Sequence, residues 1–166
     1  MRKLLFVLVF VFAAVCSFSQ SLPNYDAIRL ELKEDYNAAA ETAALKAADF
    51  LLTTPNEKDN LDRLKSLQYL IKWMSGTPDY SFSLGDPITK FIKKNEDVLG
   101  LYMAAMAKYV LENKADAKDE KKVKLKSVKL LIDYVKDEKN NIKIKGELKK
   151  AVEADDKGQL AEYLNN

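Results

Sequence analysis

A chain of 166 residues that is 48% hydrophobic and 31% charged has the material for one globular domain with its own core. It has no His, and its one Cys is Cys16, which removes Ser-His-Asp and Cys-His catalysis and the usual zinc ligand sets. Its formal net charge of +2 comes from 27 basic against 25 acidic residues, so no overall attraction to nucleic acid is expected.

Residues 1–19 read as a cleaved secretory signal peptide. Arg2 and Lys3 form a basic start, Leu4–Val15 an unbroken apolar run, and Ser17 and Ser19 stand at −3 and −1 of a cleavage before Gln20. The run is too short for a good membrane span. The alternative is a lipoprotein anchored through Cys16, for which Val15 is a bulky neighbour. Cleavage also removes Arg2, Lys3 and Cys16, so the mature chain has no formal net charge and no conventional ligand for haem, iron–sulfur or thiol chemistry. The protein is therefore expected to be exported, periplasmic or secreted, and to need no metal or cofactor.

Residues 20–35 predict an extended arm: Ile28, Leu30 and Leu32 alternate with Arg29, Glu31 and Lys33, yet no partner strand is in sight. From residue 36 on, one all-α domain is expected. An Ala-rich helix over about 36–52 has Tyr36, Ala39, Ala40, Ala43, Ala47, Phe50 and Leu51 on one face, and Pro55 stops it. The next, about 58–74, has an apolar face of Leu61, Leu64, Leu67, Leu70, Ile71 and Met74, with Gly76 and Pro78 beyond its end. Arg63 projects into that face, whereas Tyr69 and Trp73 project away from it.

Residues 77–86 form the longest irregular stretch, and a short helix over 87–94 follows, with Asp86 as its cap and Pro87 as its first residue. The segment 95–113 is apolar around most of its circumference and predicts the central helix, capped by Asn95 with Glu96 and Asp97 in its first turn. An amphipathic helix over about 119–136 carries Val123, Val128, Leu131, Tyr134 and Val135 inward. Its opposite, solvated face carries Lys118, Lys122, Lys126, Lys129 and Lys136. Ile144, Leu148, Ala151 and Val152 mark a further helix, and residues 159–164 a last short one. The expectation is a single-domain bundle of about five to seven helices around the central one. No internal repeat establishes a solenoid.

The stretches DNLDRLKSLQYLIKWMSGTPDYSF (59–82) and YMAAMAKYVLEN (102–113) resemble a group of small exported helical bacterial proteins with no assigned activity. That resemblance implies an exported, helical, single-domain protein and supplies no catalytic motif.

Two functional classes remain. The first is a monomeric, non-enzymatic binding domain whose partner is a protein, glycan or lipid of the cell envelope. Its candidate patch is Tyr69, Trp73, Tyr80 and Phe82, which meet if the 77–86 loop folds over the preceding helix and then either line a groove or bury one another. The second is a carboxylate-dependent glycan hydrolase, which needs no His. Glu34/Asp35, Glu96/Asp97 and Asp155/Asp156 are its adjacent acids, although sequence neighbours on a helix point in different directions. Arg63 is the candidate for a structural ion pair, with Asp35, Asp49 and Asp97 as prospective partners, or else several backbone carbonyls.

Overall fold

The computed structural model describes residues 21–165; the expected signal peptide, Cys16 and the expected cleavage position before Gln20 lie outside them. Among the described residues there are seven α-helices and no strand. They are α1 (Ala38–Thr53), α2 (Leu61–Gly76), α3 (Ile88–Phe91), α4 (Val98–Glu112), α5 (Glu120–Lys136), α6 (Gly146–Asp156) and α7 (Leu160–Tyr163).

Helix α4 is the centre and contacts α1, α2, α3 and α5. Its Ala104, Ala105 and Ala107 are fully buried, as are Ala44, Ala47 and Ala48 of α1. Small side chains on both helices let their backbones approach closely, and the larger Leu101, Met106 and Val110 fill the space around them. Helix α5 closes the other side with Val128, Leu131, Ile132 and Val135, and α6 adds Leu148 and Ala151.

Side chains begin three of the long helices. Asn37 accepts from the Ala39 and Ala40 amides, Asn60 from Arg63, and Asp119 from Lys122. Asn95 does not cap α4 as expected. It is buried one turn upstream, where its amide donates to the carbonyls of Phe91 and Lys145 and its oxygen accepts from the Lys145 amide. The residue thereby joins the start of α4 to the segment entering α6, a non-local partner invisible in the local pattern.

The arm packs on α2. It contains two 3₁₀ turns, Tyr25–Ala27 and Lys33–Asp35, and buries Tyr25 and Leu30 while Leu32 stays exposed. The Tyr25 ring stacks on Tyr69 with centroids 4.8 Å apart.

Helix α2 departs most from expectation. Its buried side is Arg63, Ser66, Tyr69, Leu70, Trp73 and Met74, while Leu61 is 71% exposed and Leu64 and Ile71 also face water. The helix is rotated by about 100° from the leucine-centred orientation, at 100° per residue. Two large aromatic side chains bury more surface than the leucines they displace, and the rotation also brings Arg63 to the end of α1.

Candidate functional site

Residues 77–86 cross the molecule as a strap, running from the end of α2 toward α3. Two of its aromatic residues grip Trp73, whose ring centroid lies 5.8 Å from Tyr80 and 5.9 Å from Phe82. Trp73 is 0% exposed, and Tyr80 and Phe82 are half-buried. The Tyr80 hydroxyl donates to Glu41 of α1 (3.0 Å), a carboxylate that also receives the Lys114 ammonium. Burial first, then the Glu41 carboxylate, pushes the Tyr80 hydroxyl above its ordinary pKa.

Of the four aromatic residues singled out in the sequence, the structure therefore brings three together. Tyr69 instead stacks on Tyr25 and donates to the Ala40 carbonyl at 3.0 Å. Trp73 and Tyr69 sit inside the fold, so neither faces solvent as part of an open groove.

Phe82 has a second role. It borders a cavity of about 390 Å³ between the strap, α4 and α5. From the strap come Ser81, Phe82, Ser83, Gly85 and Asp86. Tyr102 and Met106 of α4 form the deep surface, both nearly inaccessible. Ala117 and the first turns of α5, with Glu120, Lys121, Val123 and Lys124, make the far wall. This volume is typical of small-molecule sites, which combine apolar walls with a few polar groups.

Tyr102 is the distinctive residue. It is 3% exposed, and its hydroxyl has no hydrogen-bond partner among the described residues. Among the described residues, the fully buried side-chain atoms without a hydrogen-bond partner are Trp73 Nε1, Ser127 Oγ and Asn140 Oδ1, so the Tyr102 oxygen is not fully buried. Its hydroxyl therefore keeps some access to solvent, and Tyr102 lines the cavity. Burial pushes its pKa up to about 12, so it is a neutral donor at any physiological pH.

The rim is charged. The Thr89 hydroxyl and then Lys90 hold Asp86 below the usual carboxylate range, with the Lys90 ion pair at 3.2 Å. Lys124 donates to the neutral Leu164 carbonyl at 2.9 Å. Lys121 and Glu120 have no ion-pair partner among the described residues. The rim thus presents two uncompensated ammonium groups against one free carboxylate.

Arg63 does not meet Asp35, Asp49 or Asp97. Asp35 accepts from the amides of Glu31 and Leu32, Asp49 pairs with Lys108, and Asp97 with Lys58. The buried guanidinium instead donates to the Leu51 and Thr54 carbonyls at 3.1 and 3.0 Å, to the Thr54 hydroxyl at 2.7 Å and to Asn56 at 3.5 Å. Tyr134 of α5 adds a bond to the same Thr54 carbonyl at 2.9 Å. The expected ion pair is thus a cap: the C-terminal carbonyls of α1 carry partial negative charge and lack intrahelical donors.

The remaining acidic pairs are spread out. Asp155 and Asp156 are tied to Lys129 and Lys136, and Glu96 and Asp97 border a lysine-rich hollow with Lys58 and Lys94. The lysine face of α5 is largely matched locally, through Lys122–Asp116, Lys129–Asp133 and Lys136–Asp156 pairs. Among the described residues no group of three or more Asp, Glu, His or Cys converges to hold a metal ion. Nor is any described helix long and apolar enough to cross a membrane.

The sequence places the apolar 95–113 helix, which holds Tyr102 and Met106, and Val123 in the core, and it does not show the cavity. The available signal was a tyrosine in the most apolar helix, since a buried hydroxyl needs a partner. No protein-family model, curated protein or solved structure matches this chain.

Proposed function

We propose that this is an exported binding protein, non-enzymatic and monomeric, that holds a small amphipathic ligand in the cavity between the strap, α4 and α5. The signal-peptide pattern of residues 1–19 supports export to the periplasm or the medium. The observation that carries the binding reading is the Tyr102 hydroxyl, which lacks a protein partner at the deep surface of a cavity of ligand size. A donor there with no protein partner can bond an acceptor of a ligand in place of water. Phe82, Met106 and Val123 supply apolar contact around it. The strap, anchored by Tyr80 to Glu41 and by Phe82 to Trp73, shapes the entrance.

The glycan-hydrolase alternative would draw on Asp86 and Glu120, the carboxylates that line this cavity. A general acid needs a pKa raised toward neutrality, whereas Asp86 is pulled down by Thr89 and Lys90. The binding reading therefore stands first.

Native mass spectrometry of the full chain recovered from its host tests it. The wild type should carry a small-molecule adduct that leaves on denaturation. Ala117→Phe, which fills the cavity from its wall, should lack the adduct while remaining folded. Recovery of bare wild-type protein, or an adduct retained by Ala117→Phe, would contradict the proposal.

A further inference from the structure

We infer that the ligand is an amphipathic monoanion, a carboxylate on an apolar body about the size of one aromatic ring, with a hydrogen-bonding atom at its far end. The inference rests on the binding reading above and adds the ligand's charge and polarity. Its basis is the distribution of polar groups along the cavity. The deep end offers one neutral donor, Tyr102, beside the thioether of Met106. The middle is apolar, with the Phe82 ring on the strap and Val123 on α5. At the mouth stand Lys121, without an ion-pair partner among the described residues, and Lys124, whose ammonium is held by the uncharged Leu164 carbonyl. Asp86 does not offset them, because Lys90 already neutralises it. Glu120 alone opposes them.

A cation would face two ammonium groups there, and a neutral molecule would leave them unused. An anion gains attraction at the mouth, where the apolar walls on one side reduce screening by water. The strap also lines the cavity with Ser81 and Ser83, both exposed, whose hydroxyls can donate to an anion. Tyr102 and Met106 are buried, Phe82 and Lys124 half-buried and Lys121 exposed, so one molecule with a polar atom at its inner end and an acid at its outer end engages all three features.

Calorimetric titration of the full chain with 3-(4-hydroxyphenyl)propionate and with its uncharged amide tests this. The two probes share the ring, the phenol and the length, and differ in charge. The carboxylate should bind about fivefold more tightly than the amide, within the range that partly exposed charge pairs supply. In Lys121→Gln/Lys124→Gln that preference should vanish while the amide's affinity is kept. Lys121 is exposed, whereas Lys124→Gln also removes the bond to the Leu164 carbonyl, so a circular dichroism spectrum and the urea midpoint check that the fold is retained. Equal affinity for the two probes would overturn the anionic assignment and leave the cavity reading intact. A preference that survives in the double variant would also overturn it, since the anion would then be held elsewhere. Binding of neither probe at millimolar concentration would overturn both.

Discussion

The Phe82 ring lies 5.9 Å from Trp73 and also borders the cavity, so one strap residue joins the buried core to the proposed site. Trp73→Ala removes the largest fully buried side chain and should cost about 3–5 kcal/mol in chemical denaturation, as other large-to-Ala core changes do. Trp73→Phe should cost clearly less, because Trp73 Nε1 has no hydrogen-bond partner to lose. As the single Trp in the chain, its emission should lie well to the blue of free indole. Emission like that of indole in water would refute the burial.

The second expectation concerns the cap on α1. Arg63 spans the Leu51 and Thr54 carbonyls and the Thr54 hydroxyl with one planar head. Arg63→Lys keeps the charge and loses the fork, and should lower stability by about 1–3 kcal/mol, as expected for lost charged hydrogen bonds. Arg63→Met should cost at least as much, since it removes the donor to the Leu51 carbonyl and leaves the Thr54 carbonyl with the Tyr134 hydroxyl alone. Wild-type denaturant midpoints for both variants would show that the cap contributes nothing.

The orientation of α2 is open to a direct comparison. Leu64→Ala should change stability by less than about 0.5 kcal/mol because Leu64 faces water, while Leu70→Ala should cost about 2–5 kcal/mol. The leucine-centred orientation read from the sequence would make both costly. Equal, large losses would restore it.

Acid should destabilise the protein through specific carboxylates. Backbone amides of Leu32 and Glu31 hold Asp35 below its ordinary pKa. Lys122, then the Tyr109 hydroxyl, does so for Asp116; Lys150, then the Tyr163 hydroxyl, does so for Glu147. Because the folded pKa values are depressed, their contribution is fully present above the unfolded value and is lost as pH falls through the folded one. The urea midpoint should therefore hold steady down to about pH 5 and fall below about pH 4. Asp116→Asn should lower the neutral midpoint and make the acid decline shallower. An unchanged acid profile in that variant would remove Asp116 from the account.

Most of the architecture is legible in the residues. The Ala-rich face of α1, the nearly all-apolar α4 and the Val123–Val135 face of α5 each have one way to bury themselves, and these helices form the bundle. Helix α2 was ambiguous because it offers two apolar arcs, one of leucines and one of aromatics with Arg63 nearby. Periodicity counts hydrophobic residues but does not know that the α1 carbonyls need a donor. Asn95 was misread for the same reason, its partner being Lys145 in a distant segment. The strap aromatics were found from sequence, but not the void beneath them. A void is space left by packing, and Tyr102 looks like any other core residue until its hydroxyl is found without a protein partner in a residue that lines the cavity.

Occupancy of that void is the central claim, and intermolecular nuclear Overhauser effects measure it most directly. With 3-(4-hydroxyphenyl)propionate bound to the full chain, its ring protons should give cross-peaks to the Met106 ε-methyl and the Val123 methyls. Tyr102→Phe should weaken binding without lowering stability, since that hydroxyl has no protein partner to lose. Cross-peaks to Leu61, Leu64 and Ile71 on the exposed face of α2, with none to Met106 or Val123, would contradict the account.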